Sequence, residues 1–213
     1  MTPLELTPSD ARTCFEESAE FLIDTASLVA PDQWHAPGLG QWTVRELVGH
    51  AGRALQTVTS YLANPGASAD LAGPVAYFLA AFGSEGDTEA ASQAILERGR
   101  DAGKALGADP VARLRALRDE AIGALHDGDD DVIVTTPMGT IALADYLPTR
   151  TFEMVVHTLD LGRAIGVSTT PPIGPLTTTA VLAASVAVRR GRGVEACLAL
   201  TGRTPLTGNL TFL

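Results

Sequence analysis

The chain has 213 residues, enough for one substantial hydrophobic core. Hydrophobic residues make up 46% and charged residues 19%, which excludes a disordered chain. A formal net charge of −10 argues against a protein that coats nucleic acid, since phosphate binding needs a basic face.

Thr7-Pro8-Ser9-Asp10 opens the first predicted helix, with Thr7 as cap and Pro8 in the first turn. Phe15, Ala19, Leu22 and Ala26 recur at helical spacing, predicting a helix from about 8 to about 29. Residues 31–40 read as a loop punctuated by Pro31, Pro37, Gly38 and Gly40. Thr43 followed by Glu46 is a capping box, and Trp42 before it can pack on Leu47 as a hydrophobic staple. The second helix is therefore predicted to start at Val44 and to run to about Leu62.

Residues 65–87 predict loops around a short helix at Val75 to Phe82, and Thr88 to Leu106 a weakly amphipathic helix. Asp109-Pro110 restarts a helix through about Leu125. The cluster Asp127, Asp129, Asp130 and Asp131 lacks the ligand spacing of a calcium loop and reads as a solvated turn. Val132 to Leu143 can hold two short strands around Pro137-Met138-Gly139. A long helix is predicted from near Asp145, with Pro148 in its first turn, to Ile165, stopped by Gly166. After a stiff break at 171–175, Leu176 to Arg189 predicts a further helix, and Gly202 can end a last one. The pattern implies an all-α bundle of four main helices, with extra helices and at most one small β-hairpin. The expected division is a bundle over 1–166 and a short helical extension over 167–213 packed on it.

Cys14 and Cys197 form no CxxC pair and read as small buried hydrophobes, which fits a reducing compartment. The first ten residues show no basic stretch followed by an apolar one, and no apolar run reaches a membrane span. A cytoplasmic protein without nucleic-acid or membrane partners is expected.

Of four histidines, His35 lies in a loop and His126 at a helix end, both expected at the surface. His50 and His157 fall inside strong helix patterns. At about 100° per residue, Thr149, Glu153, His157, Asp160 and Ala164 share one stripe, flanked on both sides by apolar residues. A polar stripe so flanked points inward, where Glu, His and Asp need partners or a metal. His50 lies at the edge of the apolar stripe Leu47, Ala51, Leu55, Val58 and Leu62. Two histidines and a glutamate from two helices suit zinc with an open fourth position, and they also suit iron. Periodicity leaves a second reading open, in which Glu153 and His157 are an ordinary helical ion pair and His50 a core residue.

The stretch Gly40-Gln41-Trp42-Thr43-Val44-Arg45-Glu46-Leu47-Val48-Gly49-His50 resembles the GWTVRDLVAH segment of the mycothiol-dependent maleylpyruvate isomerase family, one of the DinB-like metalloenzymes. Residues 150–161, RTFEMVVHTLDL, resemble its second signature, and Leu200-Thr201-Gly202-Arg203 its C-terminal LTGR. The resemblance implies an up-down four-helix bundle with zinc, or another divalent metal, on His50, Glu153 and His157. It implies a low-molecular-weight thiol such as mycothiol as co-substrate. Arg203 matches a family arginine that holds a substrate carboxylate, with Arg150 and Arg163 as alternative anion holders. Asp160 would orient a ligand or a neighbouring arginine.

The activity so implied is S-transfer to a small electrophile, or its thiol-assisted isomerisation, by a monomer or homodimer. The alternatives are a hydrolase using metal-activated water and a non-catalytic metal- or ligand-binding module.

Overall fold

In a computed structural model, residues 6–81, 89–126 and 131–204 are described, and the side chains of 89–92 are left aside. Asp127, Asp129 and Asp130 of the acidic turn, and the ends 1–5 and 205–213, lie outside the described residues. Among the described residues the chain is all-α with one two-stranded hairpin. In order come α1 (Pro8–Ala26), a 3-10 turn (Gln33–His35), α2 (Val44–Leu62), α3 (Pro74–Ala81), α4 (Glu89–Ala105) and α5 (Pro110–His126). Then follow β1 (Ile133–Thr136), β2 (Gly139–Ala142), α6 (Leu143–Ile165), α7 (Ile173–Arg189) and α8 (Gly193–Leu200).

Four helices make the central bundle. α6 packs against α1 and α2, and α5 packs against the same two, so α1 and α2 stand diagonally opposed. Phe15, Leu22, Leu47, Leu55, Leu114, Leu147 and Met154 supply its fully buried centre. α4 covers the outer side of α2, α7 lies on α6, and α8 packs on α7. No helix among the described residues is long and apolar enough to cross a membrane.

Local signals set the ends of α2. The Thr43 hydroxyl oxygen accepts from the Glu46 amide, and the Glu46 carboxylate accepts from the Thr43 amide at 2.7 Å. This capping box satisfies two helix-start donors. In the hairpin Val134 faces Ile141 across the ladder, both fully buried, and Pro137-Met138 form the turn. The Leu143 amide donates to Val132 O, so the hairpin runs straight into α6. α6 thus begins two residues before the expected Asp145, which puts Pro148 in the second turn instead of the first. α7 likewise begins at Ile173, earlier than expected, with Pro175 in its first turn. Cys14 is buried as expected. Cys197 is exposed, because α8 buries only Ala196.

Candidate metal centre

α2 and α6 pack side by side, and their touching faces bring His50, Glu153 and His157 together. One ligand atom from each lies within 4.8 Å of the others. His157 Nε2 is 3.4 Å from Glu153 Oε2, and the rings of His50 and His157 meet edge to face at 4.8 Å. His157 is 15% exposed and Glu153 25%, so the donors are largely dry yet reachable. His35 and His126 are exposed, as expected.

The electrostatics are those of a donor set held together without a cation. Burial works against a charged Glu153, but His157 and the Arg150 guanidinium outweigh it and hold the carboxyl down at about 2. Burial also works against a charged His157, yet the Asp160 and Glu153 carboxylates raise it to about 9. His50 is lowered to about 4, first by burial and then by the charge of His157. The His50 Nδ1 atom is buried with no hydrogen-bond partner among the described residues, while His157 Nδ1 faces Asp160 Oδ2 at 3.5 Å. Buried polar atoms ordinarily have partners, so an orphaned imidazole nitrogen on His50, beside a second imidazole and a carboxylate, fits a site built for a cation.

A cavity of about 530 Å³ opens over these donors. Arg53, Arg98 and Arg150 line it, and none has a carboxylate at ion-pair distance among the described residues. In a chain of net charge −10, three arginines without acidic partners at one cavity make a place for an anion. Arg150 is the fixed one. Its guanidinium lies 4.8 Å from the ring centre of Tyr146 and 5.4 Å from that of Tyr77, and its Nε donates to Thr149 Oγ1. Cation–π contact on two rings holds the group without neutralising it.

The other sequence-predicted residues are placed differently. Asp160 stands behind His157, with Oδ2 3.5 Å from Nδ1, and its other oxygen faces Arg163, which is 83% exposed. Arg203 is exposed beyond α8, donates to Thr201 O, and is not among the residues lining the cavity. Sequence reasoning passed over Arg53 and Arg98. Arg53 is three residues beyond His50, a spacing that places both on one face of α2. Arg98 reaches the cavity from α4, whose pattern gave no such sign.

The Trp42 indole stacks on His50 with ring centres 4.4 Å apart. Its N–H donates to Leu96 O, and its ring lies against Gly99, both on α4. Compared with curated proteins and with solved structures, the chain matches none. Residues 15–162 match the family described as Mycothiol maleylpyruvate isomerase N-terminal domain. That span holds the three donors and Arg150, and stops before α7, α8 and Arg203. Since the match covers most of its length, the chain belongs to the mycothiol maleylpyruvate isomerase N-terminal domain family.

Proposed function

We propose that this protein is a divalent-metal enzyme, with zinc on His50, Glu153 and His157, that uses a low-molecular-weight thiol such as mycothiol against a small anionic electrophile. The observation that carries the reading is the convergence of two imidazoles and one carboxylate under a cavity lined by Arg53, Arg98 and Arg150. When bound, a zinc ion supplies an open position at which a thiol loses its proton near neutral pH.

The chain's own residues do the rest. Arg150, fixed by Tyr77 and Tyr146, holds an anionic group of the electrophile and so sets the reacting carbon relative to the sulfur. Arg53 and Arg98 draw the anion in at the rim. The aromatic walls, Trp42, Tyr77 and Phe152 among them, keep water away from the nucleophile. Sulfur bonds to the electrophilic carbon. In a conjugated alkene the π pair moves onto the adjoining carbonyl oxygen, the former double bond turns, and the returning pair expels the sulfur. The thiol proton leaves to solvent at the start and is recovered at the end, so isomerisation consumes no thiol. Where the carbon bears a leaving group, the bond to that group breaks instead and the thiol is transferred.

Metal content of the purified protein and of His50→Ala and His157→Ala, with turnover assayed with and without thiol, tests the reading. About one equivalent of zinc in the native protein, lost in both variants, with turnover only when thiol is present, is expected. No metal after reconstitution would sink it. Turnover without thiol would make the protein a hydrolase.

A further inference from the structure

We propose that Trp42 is a positioning residue for the metal ligand His50, its indole face doing what a hydrogen-bonded carboxylate or carbonyl does for most metal-binding histidines. The inference rests on the metal reading above. A metal-binding histidine ordinarily donates its second N–H to an acceptor that fixes the ring. His157 has such a neighbour in Asp160, 3.5 Å from Nδ1. His50 has none: its Nδ1 is buried with no hydrogen-bond partner among the described residues.

Two rings hold it instead. The indole of Trp42 lies 4.4 Å away and tilted 32°, within the range of attractive offset stacking. The His157 ring meets His50 at 4.8 Å and 83°, and Trp42 and His157 are 6.5 Å apart, so the three centres make nearly a right angle at His50. The imidazole is thus constrained from two directions by aromatic surfaces.

The indole can act this way because it is itself fixed. It is 8% exposed, and its N–H donates to Leu96 O of α4 at 3.1 Å. It fills a slot that exists only because residue 99 is glycine. A Cβ there would sit 2.4 Å from the indole ring. The capping box begins at the next residue, Thr43, and fixes the backbone. Through one ring α4, which supplies no ligand, therefore governs the orientation of a ligand on α2.

The test uses the full chain and its Trp42→Leu, Trp42→Phe and Gly99→Ala variants. Zinc affinity is read by chelator competition, ligand geometry by the visible spectrum of the cobalt(II)-loaded protein, and folding by melting of the metal-free protein. Trp42→Leu, which stays apolar but has no aromatic face, is expected to weaken zinc about ten- to a hundredfold and to alter the cobalt bands. Trp42→Phe restores most of both. Gly99→Ala, which pushes the indole from its slot, resembles Trp42→Leu, and combining the two adds little because they remove one interaction. Wild-type affinity and an unchanged cobalt spectrum in Trp42→Leu would overturn the proposal with the metal reading intact. So would losses that follow the melting temperature with Phe no better than Leu, since the ring would then be only packing. A native chain that takes up neither zinc nor cobalt would overturn both.

Discussion

Glu153 Oε2 stands 3.4 Å from His157 Nε2, one turn away on α6. Two ligand atoms of a tetrahedral zinc site with bonds near 2.1 Å are separated by about the same 3.4 Å. The pair is therefore spaced for a metal while it serves as an ion pair without one, and one His157 proton must be displaced when metal enters.

Proton linkage gives the sign of the pH dependence. His157, raised to about 9 from its ordinary 6.5, contributes stability that is full below 6.5 and lost as pH rises through 9. His50, lowered to about 4, and Glu153, lowered to about 2, contribute above their ordinary values of 6.5 and 4.5 and lose it as pH falls through 4 and 2. The metal-free protein should thus melt highest near pH 6.5. Zinc affinity should instead climb about tenfold per pH unit between 6.5 and 9, as His157 gives up one proton for each ion bound. Competition titrations across that range, with calorimetry in buffers of different ionisation heat, read both. A flat affinity would mean that His157 either gives up no proton in that range or is not a ligand.

How much of this was legible follows from the range of each interaction. The capping box of α2 is written in four consecutive residues, and α2 starts and ends where those residues and the apolar stripe place it. The polar stripe on α6 was visible for the same reason, because Glu153, His157 and Asp160 lie within two turns. The early start of α6 was not visible, since it depends on the Leu143 amide reaching Val132 across the hairpin. Tyr77 comes to Arg150 from α3, 73 residues away in sequence, and Arg98 comes from α4, which meets α2 only through tertiary packing. Contacts between elements, which make the cavity from the donors, had no local signature.

Asp160 tests the orientation of the other histidine. Its carboxylate lies 3.5 Å from His157 Nδ1 and outside the cavity lining, so it acts on the site only through that ring. Asp160→Asn removes the charge and keeps the shape. It should weaken zinc about ten- to a hundredfold. It should also bring the His157 imidazole back toward its ordinary value, followed by NMR titration of the metal-free protein. An unchanged titration would mean that Glu153 alone holds the His157 proton.

The α2–α4 crossing predicts a stability effect next to the site. A Cβ on Gly49 would lie 2.3 Å from the backbone nitrogen of Gly103, and a Cβ on Gly103 would lie 2.9 Å from Glu46 Cα. Neither contact can be relieved by turning a side chain. Gly49→Ala should therefore cost about 2–3 kcal/mol and lower the melting temperature by about 5–10 °C. Gly123→Ala is the control, since the position is exposed on α5 with nothing within 4 Å of the added carbon. It should gain about 0.5–1 kcal/mol from the better helix former. Equal effects in the two variants would mean that α4 does not press on α2 in solution.

Arg150 separates charge from geometry at the cavity. Two tyrosine rings flank its guanidinium, and its Nε is bonded to Thr149 Oγ1, so its planar face is what the fold holds in place. A lysine keeps the charge but has neither the plane for stacking nor the fork for a two-point contact with a carboxylate. Arg150→Lys and Arg150→Met should therefore resemble each other, and differ from a site that needs only positive potential. One charge-assisted hydrogen bond is worth about 1.5–3 kcal/mol, so both variants should bind small carboxylates about ten- to a hundredfold more weakly by calorimetry. Zinc content should stay near that of the native protein, because Arg150 is not among the three metal donors. If Arg150→Lys kept full carboxylate affinity, Arg53 and Arg98, the other two arginines that line the cavity, would be the anion holders, and Arg150 would serve to keep Glu153 ionised.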